Sequence, residues 1–587
     1  MAFQDFSHLT ERRRAEKQQK LRKRIAIATI SFIVLLVLIA SGIFGVVYES
    51  GHATKTPEIQ PTKELSHTQK AVKMICAHTD YKKTCETSLL KVMNSNSSSS
   101  QPKDLLKAAI SIIVDEVDKA LNHSSMFKFD KPDEKAAFED CKVLLKDAKE
   151  ELEESISHVG GHNLGKLPTR THDLNSWLSA VMSYQQTCID GFPEGKLKSG
   201  MEKTMKSAKE LTSNALAIVS EVSSILSMLQ IPGLGHRHLL TKESSRPTLD
   251  RDGLPNWMTH ADRRMLKANG AKLNPNVIVA KDGSGNYTTI TDALAAMPLK
   301  YKGRYVIYIK VGIYDETVTV TKKMVNLTMY GDGSRKTIVT GRKNFVDGVR
   351  TFQTATFVAL GEGFMAKAMG FRNTAGPEKH QAVAIRVQSD HSVFLNCRME
   401  GYQDTLYAQT HRQFYRSCVI AGTVDFIFGD AAAIFQNCMI VIRKPLDNQR
   451  NIVTAQGRID RHETTGIVIQ NCRILPDKKL IPLRFKLESY LGRPWKEYSR
   501  TIIMESTIGD LIHADGWLPW EGDFALKTLS YGEYNNRGPG AKLTARIKWP
   551  GYKVIKKQEA MKYTVGAFLQ GDWMKTSGTP VHLGLFH

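Results

Sequence analysis

A chain of 587 residues is too long for one ordinary domain, and 42% hydrophobic with 24% charged residues excludes wholesale disorder. The formal net charge is +22. From 271 to 587, 43 Lys and Arg stand against 27 Asp and Glu, so the basic excess is not merely a tail. That surplus fits an extracellular polyanion as partner, the alternative being a generally basic, soluble surface.

Residues 1–24 are a basic N-terminus with Lys17, Lys20, Arg22, Lys23 and Arg24 at its end, followed by an uncharged apolar run from Ile25 to Val47. The run is long enough to cross a bilayer and longer than the apolar core of a cleaved signal peptide, so 25–47 is expected to be a signal anchor. The basic flank stays in the cytosol and everything after it faces the lumen or exterior. No nucleic acid partner is expected there. Eight cysteines in two separated groups of four fit an oxidising compartment, as do the N-x-S/T triplets at Asn96, Asn122, Asn286 and Asn326.

After a polar linker, 48–65, the segment 66–225 reads as helices. Leu106, Ile110, Ile113, Val117 and Leu121 recur at helical spacing, as do Cys141, Leu144, Leu145, Ala148 and Leu152, and Met201, Met205, Ala208, Leu211 and Ala215. Such stripes bury only against one another, which predicts an all-α bundle. Its four cysteines, Cys76, Cys85, Cys141 and Cys188, allow three pairings. Residues 226–272 dissolve into Pro, Gly, Ser and basic residues and read as a linker. From 273 to 587 short strands rich in Val, Ile, Phe, Tyr and Thr predict an all-β unit.

Within that unit, 391–411 (HSVFLNCRMEGYQDTLYAQTH) and 412–432 (RQFYRSCVIAGTVDFIFGDAA) superpose without a gap. Cys397 meets Cys418, Gly401 meets Gly422 and Asp404 meets Asp425; FQNC at 435–438 and IQNC at 469–472 continue the theme. A period of this length in β-rich sequence marks a solenoid, with equivalent positions about 4.8 Å apart on successive coils. That spacing lies inside the ~4.4–6.8 Å Cα separation of a disulfide, so a Cys397–Cys418 bridge is geometrically available. The aspartates stack as well, and two carboxylates about 5 Å apart cannot both ionise cheaply. An acid beside an ionised base or nucleophile is the pairing that ester or glycoside hydrolysis uses. A Ca²⁺ site would need about 6–8 oxygens, whereas Leu406, Tyr407, Phe426, Ile427 and Phe428 surround this pair. No metal or organic cofactor is implied. The sequence has neither an H-E-x-x-H helix nor a G-x-S-x-G elbow, and DGSGNY at 282–287 and GDGS at 331–334 read as turns.

Two blocks resemble known families. The cysteine spacing together with NSWLSAVMSYQQTCIDGF resembles the plant invertase and pectin methylesterase inhibitor domain. That resemblance implies a four-helix bundle with a leading helical hairpin, and Cys76–Cys85 and Cys141–Cys188 bridges. YIKVGIYDE (308–316), GYQDTLY (401–407), IAGTVDFIFG (420–429), LGRPW (491–495) and GWLPW (516–520) resemble pectin methylesterase in the family's order. The resemblance implies a right-handed parallel β-helix that demethylates pectin in the cell wall without a cofactor. It also implies that Asp425 is the nucleophile, Asp404 the proton donor, Gln403 and Gln381 the oxyanion donors and Arg493 the residue orienting Asp425. Substrate contacts fall on Thr351, Gln381, Arg493 and Trp495, with Trp517 and Trp520 as further candidates for an aromatic platform.

RHLL at 237–240 and RRML at 263–266 resemble processing sites of this class, cut by a subtilase-type protease; cleavage near Arg264 would free the catalytic part for secretion. The helical region is expected to act as an autoinhibitory or folding pro-region, and separate pectinesterase inhibitors are further candidate partners. The alternatives are a catalytically silent binding precursor and another β-helix enzyme, a pectate lyase or polygalacturonase.

Overall fold

The computed structural model describes residues 66–95, 102–124, 127–161, 171–221, 274–576 and 579–587. The apolar run at 25–47, the sequon at Asn96 and both processing motifs lie outside the described residues. Among the described residues no helix is long and apolar enough to cross a membrane.

Six helices make up the N-terminal part: α1 (His67–Cys76), α2 (Lys82–Ser95), α3 (Pro102–Ser124), α4 (Pro132–Gly161), α5 (Thr171–Asp190) and α6 (Lys196–Ser220). The stripes of α3, α4 and α6 converge on one core with Leu174, Leu178 and Val181 of α5, and most of these side chains are fully buried. Cys76–Cys85 ties α1 to α2, and Cys141–Cys188 ties α4 to α5. Closing a loop with a sequence separation of 47 restricts the unfolded chain by about 4 kcal/mol.

The C-terminal part winds into coils that each give one strand to three parallel sheets of 11, 7 and 8 strands. The 21-residue repeat is visible in the pairing: Ser392 lies opposite Gln413, Arg398 opposite Val419 and Ile385 opposite Leu406. Inward side chains stack on their equivalents. Phe394 lies on Tyr415 at 4.9 Å between ring centroids and Tyr415 on Phe435 at 4.5 Å, filling the coil interior.

Corners fall where the sequence offers residues that tolerate the left-handed region. One corner carries Asn396, Ser417, Asn437, Asn471, Glu505 and Asn535, with φ between 46° and 56°; short polar side chains such as Asn enter that region most readily. The outer face of the 11-stranded sheet is covered by the C-terminal turns through Val565, Leu569 and Met574.

The expected Cys397–Cys418 bridge is not formed. Cys397, Cys418, Cys438 and Cys472 are all free, buried thiols on successive coils. Each Sγ–H points at a carbonyl instead: Cys397 at Ala366 (3.4 Å), Cys418 at Phe394 (3.2 Å), Cys438 at Tyr415 (3.4 Å) and Cys472 at Phe435 (3.2 Å). Stacked residues hold their Cβ atoms parallel and a full strand spacing of about 4.8 Å apart, whereas a disulfide draws Cβ atoms to about 3.8 Å. Cα separation alone had made the bridge look available.

Candidate active site

Asp404 and Asp425 occupy equivalent corners just ahead of strands Leu406–Ala408 and Ile427–Gly429, which pair in register. Both have left-handed backbone, φ 60° and 49°. The glycines three residues ahead are sterically required. A Cβ on Gly422 would meet Phe426 Cβ at 2.3 Å, and one on Gly401 would meet Thr405 Oγ1 at 2.8 Å. The repeated Gly thus makes the tight corner that presents each aspartate to the cleft.

The two carboxyls are 8% and 6% exposed and differ in partners. Arg493, directly after strand Ser489–Gly492, forks onto Asp425, donating from Nε to Oδ1 at 2.9 Å and from Nη2 to Oδ2 at 2.5 Å. Burial raises both aspartates. For Asp404 the charge of Asp425 adds to burial and lifts the carboxyl well above its usual range, whereas Asp425 is raised less because Arg493 opposes burial. The proton therefore resides on Asp404. Arg493 does not bring Asp425 below the ordinary range; it limits the rise.

A cavity of about 660 Å³ opens over the pair. Thr351, Gln381, Gln403, Arg493 and Trp495 all line it, so the residues singled out from the sequence converge. Gln381 and Gln403 are half-buried, and among the described residues their side-chain amides have no hydrogen-bond partner on the protein. Aromatic walls come from Tyr407 stacked on Phe428 at 4.3 Å, with Trp495 edge-on to Phe428 at 6.0 Å. Trp520 also lines the cavity and lies 4.3 Å beneath the Arg493 guanidinium.

Trp517 does not extend the platform. It is 1% exposed, packs on Tyr531 and donates from Nε1 to Glu533 at 3.2 Å, because the strand-like bridge from Gly492 to Trp517 turns its ring inward.

The opposite wall of the cavity is helical. Asp133, Ala137, Asp140 and Leu144 of α4, Thr187 and Asp190 of α5 and the following Gly191–Pro193 line it. Asp140 ion-pairs with Arg350 and accepts from Gln353 Nε2 at 2.6 Å; Asp190 ion-pairs with Lys496 at 2.7 Å. Lys322 bonds to Asp147 at 3.0 Å, and Arg412 bridges to Asp173 at 2.8 Å. Sequence reasoning missed Arg350, Gln353 and Lys496; Arg350 and Lys496 had one signal each, their places beside Thr351 and Trp495.

Asn122, Asn286 and Asn326 are exposed. Asn286 also accepts from the Ile278 N–H through its side-chain oxygen at 2.8 Å. Among the described residues no group of three or more His, Cys, Asp or Glu is arranged to hold a metal.

A parallel β-helix that stacks two carboxyls in register in an aromatic cleft, one of them forked by an arginine, has the groups that a hydrolase uses. Family models match in both halves: Pectinesterase over 276–572 and Plant invertase/pectin methylesterase inhibitor over 70–218. Pectinesterase/pectinesterase inhibitor 45 of Arabidopsis thaliana is 52% identical with both chains covered in full. Pectinesterase 1 of Citrus sinensis is 42% identical over 88% of each chain. Among solved structures, pectin methylesterase from carrot is 51% identical and superposes with a TM-score of 0.53, covering 54% of this chain and 99% of that one. The chain belongs to the pectinesterase family, with the inhibitor domain preceding the esterase domain.

Proposed function

We propose that residues 273–587 form a right-handed β-helix that hydrolyses the methyl esters of homogalacturonan to pectate and methanol, and that 66–225, a four-helix bundle with a leading hairpin, restrains it. The observation carrying this reading is the asymmetry of the carboxyl pair: Asp425 forked by Arg493, Asp404 without such a partner.

Asp425 attacks the C6 carbonyl carbon of a methylated galacturonate. The carbonyl electron pair moves onto oxygen, where the amides of Gln403 and Gln381 donate to it. Collapse breaks the bond from C6 to the methoxy oxygen, and the departing group takes the proton of Asp404 to leave as methanol. Water then attacks C6 of the mixed anhydride, gives one proton to Asp404 and releases Asp425 and the free galacturonic acid, which ionises to galacturonate in solvent. Atoms and charge balance on these side chains alone. Thr351 and Gln381 contact the substrate, and Trp495 and Trp520 supply ring faces.

Gln403→Ala is expected to lower kcat by about 10²–10³-fold with KM little changed, since a donor used only by the oxyanion acts in the transition state. Arg493→Gln tests the assignment of the ionised partner. Asp425 must be deprotonated to attack, so activity is lost as pH falls through its pKa. Removing the opposing cation leaves burial unopposed, raises that pKa and shifts the acid limb of the methanol-release profile to higher pH. An unmoved acid limb would contradict the pairing.

For the rest of the chain, the basic 1–24 segment and the 25–47 anchor deliver the precursor to the secretory pathway with the 48–65 linker beyond. A subtilase-type protease cuts within 226–272, near Arg264 or after RHLL, and the esterase is secreted to the cell wall. Asn96, Asn122, Asn286 and Asn326 are glycosylation candidates, and separate pectinesterase inhibitors are candidate partners of the released enzyme.

A further inference from the structure

A charge stands where the preceding coils put apolar side chains. The inward column Phe394, Tyr415, Phe435, Ile469 and Ile503 continues in register to Glu533 of strand Ser530–Tyr534. Glu533 is 1% exposed, and Arg546, which pairs with it, 5%. Arg546 Nε donates to Oε1 at 2.8 Å and Nη2 to Oε2 at 3.3 Å, while Trp517 Nε1 and Tyr552 Oη donate to Oε1 at 3.2 and 3.1 Å. The rest of the guanidinium is spent on backbone, Nη1 on the Ala514 carbonyl at 3.0 Å and Nη2 on that of Gly540 at 2.6 Å. A buried ion pair adds little over apolar side chains of equal volume. Stability is therefore a poor reason for a carboxylate at the end of this column.

What the pair grips is the segment 514–517. Arg546 holds the carbonyl of Ala514 and packs on Gly516, where φ is 74° and a Cβ would meet Arg546 Nε at 2.6 Å. Glu533 holds the Trp517 indole, whose ring lies 4.4 Å from that of Tyr531. The same segment is laid against strand Ser489–Gly492: the Leu491 N–H donates to the Gly516 carbonyl at 2.7 Å, and the Leu518 N–H to that of Gly492 at 3.0 Å. Arg493 is the next residue. Three residues past Trp517, Trp520 lies 4.3 Å beneath the Arg493 guanidinium. Backbone on one side and an indole face on the other thus fix Arg493, and both come from the stretch that Glu533 and Arg546 anchor.

We propose that Glu533 and Arg546 are positioning residues of the esterase reaction: by clamping 514–517 they hold the backbone of 491–492 and the Trp520 ring, and through these the fork of Arg493 on Asp425. The proposal rests on the reading above that Arg493 orients the nucleophile Asp425; the clamp on 491–492 does not. A fork with bonds of 2.9 and 2.5 Å leaves little room for displacement. A shift of about 1 Å caused far from the chemistry can cost about 10²-fold in rate. Asp425 faces Asp404 and Arg493, and Tyr531 on the strand of Glu533 feels its charge.

Glu533→Gln strands the buried Arg546 and risks the fold, so the clamp is tested on its other donors. Trp517→Phe removes one donor and keeps a ring on Tyr531. Tyr552→Phe removes another donor from the same Glu533 oxygen, but its own strand is Tyr552–Val554 and not the clamped segment. In the uncut chain, hydrogen exchange at the Leu491 amide should speed up roughly ten-fold in Trp517→Phe, the worth of about one hydrogen bond, and keep the parental rate in Tyr552→Phe. After cleavage within 222–273, kcat for methanol release from methylated pectin should fall by about 10–10²-fold in Trp517→Phe with KM little changed. Its acid limb should move to higher pH, because a loosened Arg493 opposes the burial of Asp425 less. Tyr552→Phe should melt lower than the parent yet keep its kcat and acid limb. Leu491 exchange at the parental rate in Trp517→Phe overturns the clamp, and so do acid limbs that coincide in the two variants. An acid limb unmoved by Arg493→Gln, or absence of methanol release in every sample, counts against the earlier reading alone, because exchange judges the clamp separately.

Discussion

Asp425→Ala in the esterase part freed of its helical region is expected to stop methanol release from methylated pectin, a fall of about 10⁴-fold or more, because a covalent nucleophile has no substitute in the site. The variant needs a companion. Asp425 has φ 49°, where alanine is strained and asparagine is tolerated. It also balances Arg493, a partly buried cation that Ala would strand. Asp425→Asn keeps the backbone preference and the hydrogen-bonding shape while removing the nucleophile, so it should melt closer to the parent and be as inactive. Undiminished release from either variant would remove Asp425 from the nucleophile's role. An inactive Asn variant with parental thermal stability would separate chemistry from folding.

The second large effect concerns the helical region. Its residues close one wall of the cavity, and its carboxylates Asp140 and Asp190 occupy the cations Arg350 and Lys496 at the margin. On the proposed reading, that arrangement would exclude a polyanionic chain both sterically and by the loss of positive potential. Cutting the chain within 222–273 and removing 66–221 should raise methanol release from polymeric substrate by about 10²–10³-fold, since a tether presents the inhibitor at an effective concentration near millimolar. The double variant Asp140→Asn, Asp190→Asn in the uncut chain should give part of that rise, and the difference between it and the parent should shrink at high salt. Equal activity of cut and uncut chains would remove the inhibitory role; equal export with and without the region would remove a folding role.

Much of this is legible in the amino-acid sequence. The 21-residue superposition supplied both the coil and the register, because a gap-free repeat in a solenoid forces equivalent residues into adjacent rungs. It located the aspartate pair without reference to any relative. It did not say which aspartate is ionised, since that depends on Arg493, 68 residues beyond Asp425 and brought back by two further turns of chain. The thiol ladder went the other way: the same stacking that placed the cysteines together keeps them parallel, and side-chain direction is not written in a spacing. Trp517 and Trp520, three residues apart, parted company for a similar reason, one turned into the coil and the other out to the cleft. Lys496 had only its place beside Trp495 and Arg350 its place beside Thr351, and their aspartate partners had no signal, because a contact between two separately patterned regions leaves no periodic trace in either.

The corner ladder has a bearing on how this scaffold tolerates change in length. Each coil closes onto the one below through strand pairing, so the vertical distance between Asp404 and Asp425 is set by backbone hydrogen bonds and not by the number of residues between them. An insertion between the two positions has nowhere to go but outward, as a longer loop at a corner between strands. The next turns already behave so: pairing advances by 20 residues from Arg412 to Ala432 and by 34 from Ala432 to Gly466, with the extra chain thrown out around 443–450 and 457–465. The coil therefore works as a ruler with fixed graduations, on which loops lengthen sideways while the spacing between the two carboxyls is left alone.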